Sequence, residues 1–346
     1  SASDQAKSKP QESRSLRILN IQNDSWTSIP FSQKQPHLTV SPGGYCLLFP
    51  DFKKITQIQP LGKQQEFEFP TGFFPQVRSA ATDLTGQFIA VGNRYGQVCV
   101  WNLDRSEKPI LIREATDSIE SLDFCDDGTR LLSLESTGVL RVYDLHNKTF
   151  PTSVPALTQK WSVSGNRKYI VSFGGGKLRI YDPATKDPVR EWLYPSKSAM
   201  ASLAISNSGK YVAVAHHDGI LKMLQTDSGQ EVWNWKGPRG DSFANVSINS
   251  SENHVLFNHE NKIMILRVTD GHVIRSWQAH KTPITCLEYH PDGKRIASAT
   301  LFGIRFWDQT DAKLIWQFEH PPKSIHKIAF SEEGSVLAVA GDSVSV

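Results

Sequence analysis

The sequence predicts an all-β fold, and two observations carry that prediction. The first is composition: 10% of the 346 residues are aromatic, with nine Trp, and 23 Gly and 19 Pro provide many turns. The second is hydropathy, because helical periodicity is almost absent while apolar residues alternate with polar ones over short stretches. These stretches include residues 88–91, 98–101, 131–134, 140–143, 178–181 and 211–214.

A turn followed by a strand recurs along the whole chain at a nearly constant spacing. The ends of eight such turns are separated by 42, 42, 39, 42, 43, 41 and 41 positions. A period near 41 that holds four short strands is typical of a β-propeller, in which each four-stranded antiparallel blade packs against the next. The eight turns end at Gly44, Gly86, Gly128, Arg167, Gly209, Glu252, Gly293 and Gly334.

The two ends of the chain together supply one further unit. Residues 325–330 and 336–340 are predicted as the first and second strands of an eighth blade, and residues 16–19 and 26–31 as its third and fourth strands. The sequence thus predicts a closed propeller of eight blades whose last blade is shared by the N- and C-termini, since an open ring would expose a sheet edge. Seven blades are the alternative, in which the irregular first unit, which holds residues 51–56 and lacks an aromatic-Asp pair, is a linker rather than a blade.

Residues 15–346 are expected to form this single domain, after a disordered lead-in or linker over residues 1–14, which is polar and lacks periodicity. No window approaches 18 uninterrupted apolar residues and the first residues hold no apolar signal, so we expect a soluble chain. The cysteines have no metal-ligand spacing and lie in or beside apolar runs, which predicts core positions and favours the cytoplasm. They are Cys46, Cys99, Cys125 and Cys286.

Several motifs resemble the WD-repeat (tryptophan-aspartate repeat) family of β-propellers, over roughly residues 16–346. They are aromatic-Asp pairs that end third strands, Asp-Gly turns, and His where that family places Gly-His. The matching residues are Trp307-Asp308, Tyr143-Asp144, Tyr181-Asp182, Pro291-Asp292-Gly293, Asp218-Gly219, His280 and His320. The resemblance implies a buried network of His280, Ser298 and Trp307, although residues 301–303 stand where the family's Asp is expected. It also implies a non-catalytic scaffold.

Candidates for chemistry are few. The 38 Lys and Arg against 35 Asp and Glu leave a net charge of +3, which argues against nucleic acid as a partner. His216-His217-Asp218-Gly219 is predicted to be a hairpin rather than a metal site, because adjacent side chains on a strand point to opposite sides. No nucleophile or haem motif is present, so we expect no catalytic residue, no metal site and no cofactor.

One enzyme class provides an alternative. Eight-bladed propellers include quinone-dependent dehydrogenases, whose units carry a docking Trp after an Asp and a Thr-Gly. Fourth strands of this sequence carry similar tryptophans, which are also expected of aromatic packing between neighbouring blades. These residues are Trp192, Trp233, Trp277 and Trp316.

The remaining hypothesis is a binding platform for a protein or peptide. Loops that enter each blade and hairpins between second and third strands meet on one face of a propeller, and several hold large aromatic or basic residues. We expect binding to involve aromatic anchors with basic neighbours, while recognition of a phosphate backbone or lipid by the basic loops is a further alternative. The candidate residues are Phe73, Phe74, Arg94, Tyr95, Lys197, Arg239, Lys281, Phe302 and Lys323.

Overall fold

A computed structural model provides the structure of the chain, and for some strand residues it describes the backbone alone. The described residues are 14–20, 25–31, 38–40, 46–48, 54–58, 64–74, 76–83, 85–104, 108–125, 128–147, 149–154, 158–164, 166, 168–182, 188–195, 198–237, 243–318, 323–330, 334 and 336–342. The predicted lead-in lies almost entirely outside them, since β1 begins at Arg14. None of these residues forms a helix that could cross a membrane.

Between residues 38 and 193 the strands form four antiparallel sheets of four strands, with strands numbered in chain order from the N-terminus. Sheet 1 contains β3 (Leu38–Val40), β4 (Cys46–Leu48), β5 (Lys54–Ile58) and β6 (Gln64–Glu68). Sheet 2 contains β7 (Val77–Thr82), β8 (Phe88–Asn93), β9 (Val98–Asn102) and β10 (Ile110–Ile112). Sheet 3 contains β11 (Ile119–Cys125), β12 (Arg130–Glu135), β13 (Leu140–Asp144) and β14 (Thr149–Val154). Sheet 4 contains β15 (Thr158–Val163), β16 (Ile170–Gly174), β17 (Lys177–Tyr181) and β18 (Arg190–Leu193).

Four further sheets have the same construction. Sheet 5 contains β19 (Met200–Ile205), β20 (Tyr211–His216), β21 (Ile220–Gln225) and β22 (Glu231–Lys236). Sheet 6 contains β23 (Phe243–Ile248), β24 (His254–His259), β25 (Lys262–Arg267) and β26 (Val273–Gln278). Sheet 7 contains β27 (Cys286–Tyr289), β28 (Arg295–Thr300), β29 (Gly303–Asp308) and β30 (Leu314–Phe318). Sheet 8 contains β31 (Lys323–Phe330), β32 (Val336–Asp342), β1 (Arg14–Asn20) and β2 (Ser25–Phe31).

The core lies between neighbouring sheets. One cluster joins Leu221 and Met223 of sheet 5 to Val255 and Phe257 of sheet 6. Second strands are buried along nearly their whole length, whereas the fourth strands of sheets 5, 6 and 7 are largely exposed. A strand that is covered on both faces must be apolar throughout, which explains runs such as Val212–Ala215 within β20.

The sheets follow one another as in a β-propeller. First strands of successive sheets lie side by side, as β7 does with β11 and β19 does with β23, and β31 lies beside both β27 and β3. The all-β prediction with four-stranded antiparallel units is confirmed. In sheet 8, β1 pairs with β32, so each end of the chain contributes two strands. Closure of the whole ring and its number of blades stay predictions, which a truncation tests below.

Turns between first and second strands connect neighbouring sheets by hydrogen bonds. The turn at Gly86 accepts at its carbonyl from Gln57 Nε2 of the third strand β5 at 3.0 Å. Between two such turns, Ser208 Oγ donates to Glu252 Oε2 at 2.6 Å. His290 Nε2 donates to the carbonyl of Gly334 at 2.9 Å. These turns lie at the edge of the sheets opposite to the loops that enter them, so that edge is held together by short, mutually bonded turns.

Candidate functional site

Strand direction brings two kinds of loop together at one edge of every sheet. Because the four strands alternate in direction, the start of the first strand, the turn from the second to the third, and the end of the fourth lie at the same edge. We call the surface made by these edges the entry face. In sheet 2 its loops include residues 69–74 and 76, before β7, and residues 94–97, between β8 and β9.

Phe74 and Tyr95 form an exposed aromatic pair on the entry face of sheet 2. Their ring centroids are 5.6 Å apart and the rings meet edge to face at 64°. Phe74 is 58% exposed and Tyr95 54% exposed. Edge-to-face contact fixes the rings relative to one another while leaving much of their apolar surface in water. When a partner covers such an apolar surface, the free energy of the system falls.

A buried polar network holds the two loops that carry this pair. Asn93 Nδ2 donates to the Phe74 carbonyl at 2.8 Å and to Gln97 Oε1 at 2.7 Å. The backbone N–H of Phe74 donates to Gln97 Oε1, and that of Tyr95 donates to Asn93 Oδ1, both at 2.9 Å. Gln97 Nε2 reaches the carbonyl of Gly72 at 2.9 Å. Both amide side chains are buried, so the network fixes the backbone under both rings.

The neighbouring sheet packs directly against this hairpin. Gly96 has a φ of 75°, and a Cβ atom there would lie 2.6 Å from the carbonyl oxygen of Ala115. Only glycine fits this position, because a side chain would meet backbone and the left-handed conformation disfavours other residues. The loop that enters sheet 3 therefore adjoins Tyr95.

Phe73 is a correction to the candidate list. It is only 6% exposed and stacks on Phe69 with ring centroids 4.8 Å apart, in a cluster that also holds Ile55 of sheet 1. The cause is a tight turn at Gly72, whose φ is 87°, with the N–H of Phe73 donating to the carbonyl of Pro70 at 3.1 Å. Phe73 therefore fills the seam between sheets 1 and 2 and is not available to a partner.

The other candidate residues divide into three groups. Arg94 is exposed beside the aromatic pair. Lys281 and Phe302 are exposed on sheet 7, with Phe302 68% exposed and its N–H donating to Thr300 Oγ1 at 3.1 Å. Lys197 and Arg239 lie outside the described residues, and Lys323 is described only as the first residue of β31. The structure thus groups Phe74, Tyr95 and Arg94 on sheet 2, and it places Lys281 and Phe302 on another sheet.

Sheet 7 contains the His-Ser-Trp network implied by the resemblance. His280 Nε2 lies 2.7 Å from Ser298 Oγ, and Trp307 Nε1 donates to the same oxygen at 2.8 Å. The Ser298 hydroxyl thus accepts from Trp307 and shares its second hydrogen bond with His280, whose tautomer sets which of those two atoms donates. Burial, together with the charge of Arg305, lowers the pKa of His280 to about 4. Phe302 occupies the stretch where the family's Asp is expected.

Three buried polar residues were not predicted from the sequence: Asn93 and Gln97, which hold the loops of the aromatic pair, and Tyr194. The Tyr194 hydroxyl lies 2.8 Å from His216 Nε2, and the two rings stack at 5.8 Å. Burial raises the pKa of Tyr194 and lowers the pKa of His216. His216 is buried while His217 is exposed, as expected of adjacent residues at a hairpin. The only signal for Asn93 and Gln97 was their place on either side of a hairpin.

The repeated tryptophans pack between sheets. Trp233 Nε1 donates to the carbonyl of Val268 at 2.7 Å, and a Cβ atom at Gly271 would lie 2.7 Å from its ring. Trp192 lies in the same way against Gly229 of the next sheet. Within the described part of the chain, no three His, Cys, Asp or Glu side chains are grouped to hold a metal ion.

Comparison of the sequence with known proteins finds one matching family model and a similar protein. Residues 271–308 match the family model for the WD domain, G-beta repeat. Transducin beta-like protein 3 of Rattus norvegicus is 29% identical over an alignment of 173 residues, and the match covers 45% of this chain and 22% of that protein. The match therefore spans about a fifth of the relative's length.

Comparison with solved structures shows the fold. The crystal structure of the Myceliophteria thermophila Cps50 (Swd1) beta-propeller domain superposes with a TM-score of 0.59 at 15% sequence identity, over 77% of this chain and 97% of that domain. At 15% identity this match supports the fold and nothing further. The chain has the fold of a β-propeller and carries a WD repeat at residues 271–308, which confirms its resemblance to the WD-repeat family.

Proposed function

We propose that the chain is a non-catalytic scaffold that docks a protein or peptide on its entry face, with Phe74 and Tyr95 as anchors. The single observation that supports this most is the exposed aromatic pair fixed by the buried Asn93–Gln97 network. Interface energy concentrates in rigid aromatic and Arg side chains, because they bury much surface and lose little rotamer freedom.

The contrast between the two faces supports the same proposal. Turns of the opposite edge bond to one another across sheets, as Ser208 does with Glu252, whereas the entry-face loops of sheet 2 present Phe74, Tyr95 and Arg94 to solvent. Loops that project from a rigid scaffold are where binding residues are most often found. Leu301 and Phe302 on sheet 7 provide a second exposed apolar position on the same face.

The test compares a double variant with a matched control. Phe74→Ala/Tyr95→Ala removes the anchors, and Leu314→Ala/Ile315→Ala removes two exposed apolar residues from the start of β30, away from the entry face. Each folded variant is immobilised on a resin and incubated with a cell extract, and the captured proteins are quantified by mass spectrometry. We expect the anchor variant to lose a partner that the wild type and the control retain. The underlying loss of binding free energy should be roughly 2 kcal/mol or more. Equal capture by all three would refute docking through this pair.

A further inference from the structure

Charges of both signs lie in the segments around the aromatic pair. On sheet 2, Arg78, Arg94 and Arg113 are exposed around the loop that carries Phe74. On sheet 3, the loop and strand start that adjoin Tyr95 expose three acidic residues, Glu114, Asp117 and Glu120.

The arginines are held near Phe74 by backbone contacts. The N–H of Arg94 donates to the carbonyl of Gln76 at 2.9 Å, and Arg113 Nη2 donates to the carbonyl of Gly72 at 3.3 Å. Arg78 is the additional residue of a β-bulge between Val77 and Ser79. All three therefore border one loop.

The acidic residues are positioned by the contact between sheets 2 and 3. A Cβ atom at Gly96 would lie 3.0 Å from the carbonyl oxygen of Asp117, so this residue adjoins the Tyr95 hairpin. Glu120 is the additional residue of the bulge at the start of β11, the same position that Arg78 has in β7. These two strands are neighbours, with the N–H of Leu122 donating to Ser79 Oγ at 2.9 Å.

The six charges do not neutralise one another. Among the described residues, none of the six takes part in an ion pair within 4.0 Å. By contrast Glu135, on the same sheet 3, is buried, bonded to the Arg141 guanidinium and bonded by the Thr116 hydroxyl at 3.1 Å. Exposed charges that stay unpaired are available to steer and select a partner.

We propose that the occupant is a peptide segment of mixed charge: an apolar side chain covers Phe74 and Tyr95, acidic residues face the arginines of sheet 2, and basic residues face the carboxylates of sheet 3. This inference rests on the proposed docking function. A uniformly negative ligand such as a nucleic acid would meet Glu114, Asp117 and Glu120 within the same site, and a uniformly basic peptide would meet the arginines, so both are disfavoured.

Four fluorescent peptides test the inference with the full chain. Each has a central Leu-Phe; two carry three glutamates on one side and three lysines on the other, in the two possible orders, and two carry only glutamates or only lysines. Fluorescence anisotropy at low salt measures their affinities. We expect one of the mixed peptides to bind about tenfold or more tightly than either uniform peptide. Equal or tighter binding of a uniform peptide, or no binding by any of the four, would overturn the inference.

Charge reversal separates this inference from the docking proposal. Arg78→Glu/Arg94→Glu should weaken the favoured mixed peptide about tenfold and strengthen the all-lysine peptide, whereas Lys160→Glu, an exposed basic residue on sheet 4, should change neither. If the arginine variant binds all four peptides as the wild type does, the inference fails. The proposed function would then still stand if Phe74→Ala/Tyr95→Ala loses its captured partner, and would fail with it if that variant does not.

Discussion

At the residue scale, the last residue of the second strand supports the entry-face hairpins of sheets 2 and 7. In five sheets this residue is polar and buried: Asn93, Glu135, His216, His259 and Thr300. The strand ladder ends there, so the backbone N–H groups of the adjoining loops need other acceptors. Asn93 Oδ1 accepts from Tyr95, and Thr300 Oγ1 accepts from Phe302. The same device thus supports both exposed aromatic positions.

The His280 network predicts loss of stability in acid. The pKa of His280 falls from the ordinary 6.5 to about 4 on folding, so the folded state excludes a proton that the unfolded chain binds. Folding stability is therefore not reduced by His280 above about pH 6.5, and part of it is lost as pH falls from 6.5 towards 4. At pH 4.5 we expect His280 to have cost about 2 kcal/mol of the free energy of unfolding.

Urea unfolding at pH 7 and pH 4.5 measures this effect. His280→Gln keeps a polar side chain beside Ser298 but cannot titrate, so its stability should fall less between the two pH values than that of the wild type. His217→Gln, exposed at a hairpin, is the control and should follow the wild type. Identical pH dependence in His280→Gln and the wild type would contradict the assignment.

At the scale of elements, the turn between the third and fourth strands joins sheets 5 and 6 to the sheet that precedes each of them. Gly229 lies against Trp192, and Gly271 lies against Trp233. Both glycines have a φ of 69°, a left-handed conformation that other residues adopt at a cost. The tryptophan of one outer strand thereby packs on the next sheet, and the glycine is required for two independent reasons, backbone conformation and space.

Two glycine substitutions separate those reasons. Gly271→Ala adds a Cβ atom 2.7 Å from the Trp233 ring, whereas Gly176→Ala, with a φ of 73°, has no atom within 4 Å of the added Cβ. We expect Gly176→Ala to cost about 1 kcal/mol, from backbone strain alone. Gly271→Ala should cost about 1–3 kcal/mol more, from overpacking. Urea unfolding curves measure both, and equal losses would show that the Trp233 contact contributes nothing.

At the scale of the molecule, sheet 8 connects the ends of the chain. β1 pairs with β32 over Arg17–Asn20 and with β2 over its whole length. Without these two strands, β32 would present an unpaired edge, and the buried residues Leu337 and Val339 would lose their neighbours on one side.

Truncation tests this connection. Removal of residues 1–31 deletes β1 and β2, so we expect unfolding or aggregation, detected as loss of a cooperative thermal transition and of a monodisperse size-exclusion peak. Removal of residues 1–13 leaves every strand in place and is the control, with a melting temperature close to that of the full chain. A longer truncation that melts like the full chain would show that the terminal strands are dispensable and would favour seven blades.

The sequence by itself determined the fold class, the four-strand units and the strands that compose sheet 8. A period near 41 with alternating apolar residues is a local property, since each unit repeats the same turn and the same strand pattern. The His280–Ser298–Trp307 network was implied by the resemblance to the WD-repeat family, and the structure contains it. Tyr95 and Phe302 could be assigned to hairpins, but exposure could not be deduced from their type.

Only the tertiary structure decided which aromatic residues reach solvent. Phe73 and Phe74 are adjacent and chemically identical, yet the left-handed turn at Gly72 directs Phe73 into the seam and Phe74 outwards. The Asn93–Gln97 network and the contact of sheet 3 with Gly96 join segments more than 15 residues apart. Such contacts depend on how sheets pack, which no local pattern encodes, and they are what place three arginines and three carboxylates around one aromatic pair.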